Sequence, residues 1–250
     1  MSDGARACDL DAILADDGIE VVESEVREPG YTACLVRPAP DSPAGIMLAP
    51  GQNRGRRRFS IAHELGHYHI PTHKNRATRR CGDADMTAGA HRGSLHEREA
   101  NDFAAELLMP RHLFSQDARG RDPNFREIGE LAERDMYDVS RTAAALRYVE
   151  VTRSSCSLVC ARDGIIEWVA KSKGFVYRIP WRGDPVPVES HAKAVFSGEE
   201  ANEEAEALDP YAWLENEQRQ PVELFESTLA VPRQSQVLSL VWAVAEGDWA

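Results

Sequence analysis

The chain has 250 residues, of which 42% are hydrophobic and 28% charged, a composition typical of a globular protein with one or two buried cores. Its net charge of −12 argues against a surface that binds nucleic acid throughout, since phosphate attracts basic surfaces. The apolar runs are too short to span a membrane and the first residues lack a signal-peptide pattern, so we expect a cytoplasmic location and no membrane partner.

The first part of the chain mixes helical and strand patterns. In chain order, the predicted elements are a short helix over 9–16 ended by Gly18, strands over 19–26, 32–36 and 45–48, a helix over 56–70 ended by Pro71, a helix over 96–109 ended by Pro110, and helices over 124–134 and 139–150. The polar segment 72–93 is predicted to be a loop, and a loop of this length suggests a functional role.

Strand patterns dominate after residue 151. A hairpin is predicted over 156–170 because Asp163-Gly164 separates two apolar runs, and further strands are expected over 176–179 and 237–244. The acidic segment 199–206 is predicted to be a solvated helix or linker. We therefore predict an α+β fold with one domain over 1–151 and a smaller, β-rich α+β domain over 152–250, which could serve as a sensory or substrate-docking unit.

Residues 63–67 read HELGH, which matches the pattern H-E-x-x-H. On a helix, His63 and His67 share one face, so both imidazoles can bind a single Zn²⁺ ion and leave a position open. The metal lowers the pKa of a water molecule towards about 7, and Glu64 can accept its proton as a general base. Two ordinary histidines on an amphipathic helix are the alternative. Ile61, Ala62 and Leu65 should bury this helix against a core, however, where two histidines and a glutamate need a function.

A third ligand is expected, and three residues are candidates. Glu97 heads a helical stripe on which Asn101, one turn later, could support a ligating histidine from behind. His73 stands where H-E-x-x-H-x-x-G-x-x-H has its third histidine, but Ile70 replaces the glycine that makes the required turn. Glu99 has no polar residue one turn later. Glu97 is therefore favoured, while His73 and Glu99 are retained as lower-ranked ligands.

Two separate motifs together resemble the ImmA/IrrE family of metallopeptidases. They read FSIAHELGH over 59–67 and EREANDFAAELLMP over 97–110, in the order that the family has. The resemblance covers about the first 150 residues and implies a zincin-like peptidase domain. It also implies one zinc ion per chain, bound by His63, His67 and Glu97. Family members cleave helix-turn-helix repressors, so it implies a protein substrate of this kind and derepression of stress-response or mobile-element genes.

Two other functions stay open at this stage. A zinc-containing regulator without turnover could bind a repressor or an antitoxin, although such a site has no need of the general base Glu64. A DNA-binding regulator is suggested by segments 128–133 and 139–148, which resemble a helix-turn-helix pair and carry Arg141 and Arg147. Direct DNA binding is not expected, because the acidic residues that flank these arginines would repel phosphate.

Overall fold

Seven α-helices and nine β-strands form in the part of the chain that the structure describes, which confirms the predicted α+β class at the level of secondary structure. The computed structural model describes residues 8–25, 31–37, 42–73, 78–82, 95–215, 222–231 and 235–245. The chain divides into two compact units: Met1–Leu113 with Ala132–Ala143, and Phe114–Leu131 with Ala144–Ala250. The functional division at residue 151 stays a prediction.

The first unit contains a four-stranded sheet in the order β1-β3-β2-β4. Its strands are β1 (Glu20–Glu23), β2 (Tyr31–Val36), β3 (Gly45–Leu48) and β4 (Thr78–Gly82), with β1 parallel to β3 and the other pairs antiparallel. β4 lies within the segment predicted to be a loop, so that prediction was wrong there. Its sequence TRRCG has no apolar alternation, and its pairing with β2 at the sheet edge defines the strand instead.

Two helices begin and end in this unit at recognisable signals. Helix α1 (Leu10–Asp17) begins after Asp9, whose side chain accepts a hydrogen bond from Ala12 N, and ends at the left-handed Gly18. Helix α2 (Arg54–His69) begins after Asn53, which caps Arg56 N in the same way. Ile70 follows in an extended conformation, φ −70° and ψ 118°, because Pro71 disfavours helical backbone in the residue before it.

Helix α3 (Leu95–Leu108) packs against α2. Its buried residues follow helical spacing along one face: Glu97, Ala100, Asn101, Ala104 and Leu108. Close packing depends on Gly66 in α2, where a Cβ atom would lie 3.1 Å from Ala100 Cα and 3.3 Å from Phe103 Cβ. Glycine and alanine thus bring two helix backbones together with a glutamate and an asparagine at their interface.

The second unit contains a five-stranded antiparallel sheet in the order β6-β5-β9-β8-β7. Its strands are β5 (Cys156–Arg162), β6 (Ile165–Lys171), β7 (Glu206–Leu208), β8 (Val222–Val231) and β9 (Gln236–Ala245). The hairpin predicted between β5 and β6 is confirmed, and its turn has positive φ at Asp163 and Gly164. A hydrophobic core that includes Phe175 and Trp213 is buried in this unit.

The remaining helices are α4 (Arg111–Asp117), α5 (Phe125–Ala132), α6 (Arg141–Val151) and α7 (His191–Phe196), of which α4 and α7 were not predicted. The strand predicted over 176–179 was wrong: Phe175 and Ile179 are buried in the core without strand pairing, and Val176 is exposed. The acidic segment 199–206 is not helical, and its last residue begins β7. No helix among the described residues has the length and apolar character needed to cross a membrane.

Candidate metal centre

Three nitrogen and oxygen atoms from α2 and α3 converge inside the first unit. His63 Nε2 lies 3.1 Å from His67 Nε2 and 3.2 Å from Glu97 Oε2, and His67 Nε2 lies 3.5 Å from the same oxygen. His63, His67 and Glu97 are all buried. The three donors therefore form a nearly equilateral triangle with little access to bulk water.

The two helices produce this convergence through their spacing and their close approach. His63 and His67 are four residues apart on α2, so their rings project from one face, with centroids 4.8 Å apart. Glu97 lies one turn before Ala100, the residue that contacts Gly66. The small pair Gly66 and Ala100 thereby brings the carboxylate of the first turn of α3 to the histidines.

Asn101 supports His63 from the side opposite the triangle. Its Oδ1 atom lies 2.9 Å from His63 Nδ1, and both side chains are buried. An amide oxygen can only accept, so His63 Nδ1 donates the hydrogen bond. In the neutral imidazole, Nε2 then carries a lone pair directed into the triangle.

His73 and Glu99 occupy positions behind His67 and are not part of the triangle. The 3₁₀ turn Pro71–His73 brings His73 Nδ1 to 3.0 Å from His67 Nδ1. His73 Nε2 in turn lies 2.9 Å from Glu99 Oε2. Ile70 does not adopt the left-handed turn of the three-histidine pattern, which agrees with this different position of His73.

Glu64 is fully buried and follows His63 directly on α2. It does not belong to the three-donor group found among the described residues, which consists of His63, His67 and Glu97. Its place beside the group is compatible with a carboxylate that exchanges protons without binding the metal. The roles of Glu64 as base and of the three donors as ligands stay predictions.

Electrostatics favours the protonation states that a metal needs. The pKa of His67 is lowered, chiefly by burial, so its imidazole is neutral at neutral pH. Burial alone would raise the pKa of Glu97, but hydrogen-bonding contacts with His63 and His67 outweigh burial and hold it far below its ordinary value. The negatively charged carboxylate of Glu97 thus lies against the neutral imidazole of His67, where a cation is the complementary partner.

Two features of the centre were missed by sequence reasoning. The first is the hydrogen-bonded row of side chains from His67 through His73 to Glu99, because the sequence presented His73 and Glu99 only as alternative ligands. Its signal in the sequence was Pro71, which ends α2 and lets the backbone turn back immediately. The second is Gly66, a glycine inside a helix, which costs about 1 kcal/mol relative to alanine and therefore suggests a close approach of two backbones.

Comparisons with known proteins agree with the motifs. Residues 17–148 match the family described as the IrrE N-terminal-like domain. No curated protein is similar enough to this chain to be matched with it. A solved structure, a Mycobacterium tuberculosis transcriptional regulator, has a similar fold, with a TM-score of 0.53 and 17% identity over 94% of this chain and 80% of that chain. At this identity, the likeness concerns the fold alone.

Proposed function

Because the chain belongs to the ImmA/IrrE family through its IrrE N-terminal-like domain, we propose that it is a zinc-dependent endopeptidase with a zincin-like fold in its first unit. The observation that carries this proposal is the triangle formed by His63, His67 and Glu97, with Glu64 beside it. The sensory or docking role of residues 152–250 and the cytoplasmic location are further parts of the proposal.

The donor set fits zinc in both chemistry and size. Zinc prefers imidazole nitrogens and carboxylate oxygens, and catalytic zinc sites keep three protein ligands with one position open. In a tetrahedral site with bonds of about 2.0–2.1 Å, neighbouring ligand atoms are about 3.3–3.4 Å apart. The three separations here are 3.1, 3.2 and 3.5 Å, which is the size expected for such a site.

Each residue then has a distinct task in peptide hydrolysis. His63, His67 and Glu97 would hold the zinc ion, which as a Lewis acid polarises the scissile carbonyl and activates water near neutral pH. Glu64 accepts the proton of the attacking water and returns it to the leaving amine. Asn101 keeps the His63 ring oriented throughout, because its oxygen accepts the Nδ1 proton.

We propose a helix-turn-helix repressor as the substrate, so that cleavage derepresses stress-response or mobile-element genes. This part rests on the family resemblance. The similar fold of a protein described as a transcriptional regulator is compatible with a role in gene regulation. Binding of such a repressor or of an antitoxin without cleavage is the second candidate, and the general base Glu64 favours cleavage over it.

A direct DNA-binding role finds less support. Arg147, one of the two arginines in the helix-turn-helix-like segment, is buried, and its guanidinium lies 2.8 Å from Glu150. Arg141 pairs with Glu133 at 3.5 Å. A buried arginine cannot contact phosphate, so we expect no salt-dependent DNA binding even at low ionic strength.

The decisive variant is Glu64→Gln, with Glu20→Gln on the exposed part of β1 as its control. Wild type and each variant are incubated with a helix-turn-helix repressor encoded near this chain, and cleavage and bound zinc are measured. We expect Glu64→Gln to bind zinc normally and to cleave about 100- to 10,000-fold more slowly, because the proton acceptor is lost. Unchanged cleavage would refute the role of Glu64. Full derepression in cells by Glu64→Gln would instead favour binding without turnover.

A further inference from the structure

A row of three side chains extends from the metal centre towards the protein surface. His67 is buried, the His73 side chain is 2% exposed, and the Glu99 side chain is 39% exposed. The nitrogens His67 Nδ1 and His73 Nδ1 are 3.0 Å apart, and His73 Nε2 is 2.9 Å from Glu99 Oε2. Both separations are those of good hydrogen bonds.

The direction of each hydrogen bond follows from the outermost group. An ionised carboxylate can only accept, so Glu99 receives the bond from His73 Nε2. An imidazole that donates from Nε2 has, in its neutral form, a lone pair on Nδ1, and His73 can use this lone pair to accept from His67 Nδ1. His67 is consequently protonated at Nδ1, and its Nε2 lone pair points towards Glu97 and His63.

We propose that His73 and Glu99 are positioning residues that fix the tautomer and ring orientation of His67 through this chain of two hydrogen bonds. The inference rests on the proposed function in taking His67 as a metal ligand. For His63, a single residue, Asn101, has this role. The Nδ1 atom of each ligand is thus hydrogen-bonded to a different kind of group: the side-chain amide of Asn101 for His63, and the His73–Glu99 pair for His67.

A second cation bound by His73, His96 and Glu99 is the competing interpretation of this cluster. These residues can bring three donor atoms within 4.8 Å of one another, and the His96 ring meets the His73 ring edge to face with centroids 4.5 Å apart. A cation on His73 Nε2 would replace the proton that Glu99 accepts. The two interpretations therefore differ in whether His96 is needed.

The test compares four variants of the full chain. His73→Leu removes the acceptor for His67 Nδ1, and His73→Gln restores one through its side-chain oxygen. Glu99→Ala removes the outer acceptor, and His96→Ala serves as the matched control. Zinc affinity is measured by competition with a chromophoric chelator. The tautomer of His67 is read by ¹⁵N NMR in the metal-free protein at mildly alkaline pH.

We expect His73→Leu to weaken zinc binding by roughly 10- to 100-fold and to give a mixture of His67 tautomers, as expected for loss of an outer-shell partner. Glu99→Ala should change both zinc affinity and the tautomer of His67 in the same direction by less, while His73→Gln and His96→Ala should resemble wild type.

An unchanged tautomer and affinity in His73→Leu would overturn the inference. Loss of a second zinc equivalent in His96→Ala would do so too, by establishing a cation site. Absence of zinc binding by wild type would refute the proposed function, and the tautomer measurement would still decide this inference.

Discussion

In each of the two units a buried glutamate lies beside nitrogen atoms, and the two sites differ in which nitrogen atoms carry protons. In the second unit, the carboxylate of Glu226 accepts hydrogen bonds from His191 N at 2.8 Å, Ala192 N at 3.1 Å and Trp213 Nε1 at 2.9 Å. All three donors are N–H groups of the protein. The negative charge therefore stabilises the first turn of α7 and anchors the indole, with no external ligand required.

In the first unit, Glu97 faces two imidazole nitrogens whose rings are protonated on the far side. Asn101 and His73 hold those protons on the Nδ1 atoms, so lone pairs and a carboxylate oxygen meet in the triangle. Such an arrangement is favourable only with a cation at its centre, either a proton on one imidazole or a metal ion. A buried carboxylate that is surrounded by N–H donors, as Glu226 is, has a structural role, whereas one that faces imidazole lone pairs, as Glu97 does, is suited to bind a metal ion.

Glu97→Gln tests the ligand side of this comparison. The amide lacks the charge and binds zinc poorly, so we expect a loss of at least about 100-fold in zinc affinity, as for removal of a direct ligand. The metal-free protein should unfold within about 1 kcal/mol of wild type, because the glutamine side chain keeps the size of Glu97 and its amide group can still form hydrogen bonds with the imidazole nitrogens that face it. Chelator competition and urea unfolding measure the two quantities. Wild-type zinc affinity in this variant would remove Glu97 from the ligand set.

Glu226→Gln makes the same chemical change in the second unit and should have the opposite profile. Three N–H donors lose a charged acceptor, and the new amide group cannot satisfy all of them. We expect the free energy of unfolding to fall by about 2–3 kcal/mol, while zinc affinity stays at the wild-type value. A variant that loses zinc but keeps its stability would reverse the assignment of the two glutamates.

Gly66→Ala tests how the first unit assembles its site. The added Cβ would lie 3.1 Å from Ala100 Cα, so α3 must shift, and we expect a destabilisation of about 1–3 kcal/mol together with weaker zinc binding. Gly55→Ala is the matched control on the same helix. Its Cβ would also lie too close to backbone, 2.6 Å from Ser140 N, but Gly55 contacts no residue of α3 in this way and lies eight positions before His63. Both variants should lose stability in thermal unfolding. Equal zinc affinity in both would show that the approach of α3 does not set the ligand geometry.

Much of the first unit could be predicted from its sequence, because local signals and the motif coincide there. Pro71 marks the end of α2, and the i, i+4 spacing places His63 and His67 on one face. The stripe from Glu97 to Asn101 predicted which face of α3 is buried. These features depend on residues within one or two helical turns, which is the range over which sequence patterns are most informative.

The parts that were missed depend on contacts between residues distant in the chain. β4 is defined by its pairing with β2, whose paired residues lie 42 to 51 positions earlier, and β7 is defined by its pairing with β8. The segment 176–179 has the apolar residues of a strand, but Ile179 contributes to a core without a pairing partner. The role of His73 depends on the position of Glu99, which the turn after Pro71 alone does not determine.

Ser190→Ala gives the smallest effect and tests whether Glu226 acts mainly as a helix cap. Ser190 is the N-cap of α7, and its hydroxyl accepts from Lys193 N at 3.1 Å, while Glu226 accepts from the two preceding N–H groups of α7. We expect a loss of about 1 kcal/mol in unfolding free energy, a typical cost for a lost N-cap. Ser197→Ala, at the exposed end of the same helix, should stay close to wild type.

Because Ser190 and Glu226 both accept from N–H groups in the first turn of α7, the double variant Ser190→Ala/Glu226→Gln should be less destabilised than the sum of the two single variants. Strict additivity would mean that the carboxylate acts chiefly on Trp213, and the structural role of Glu226 would then lie in anchoring the core and not in capping the helix.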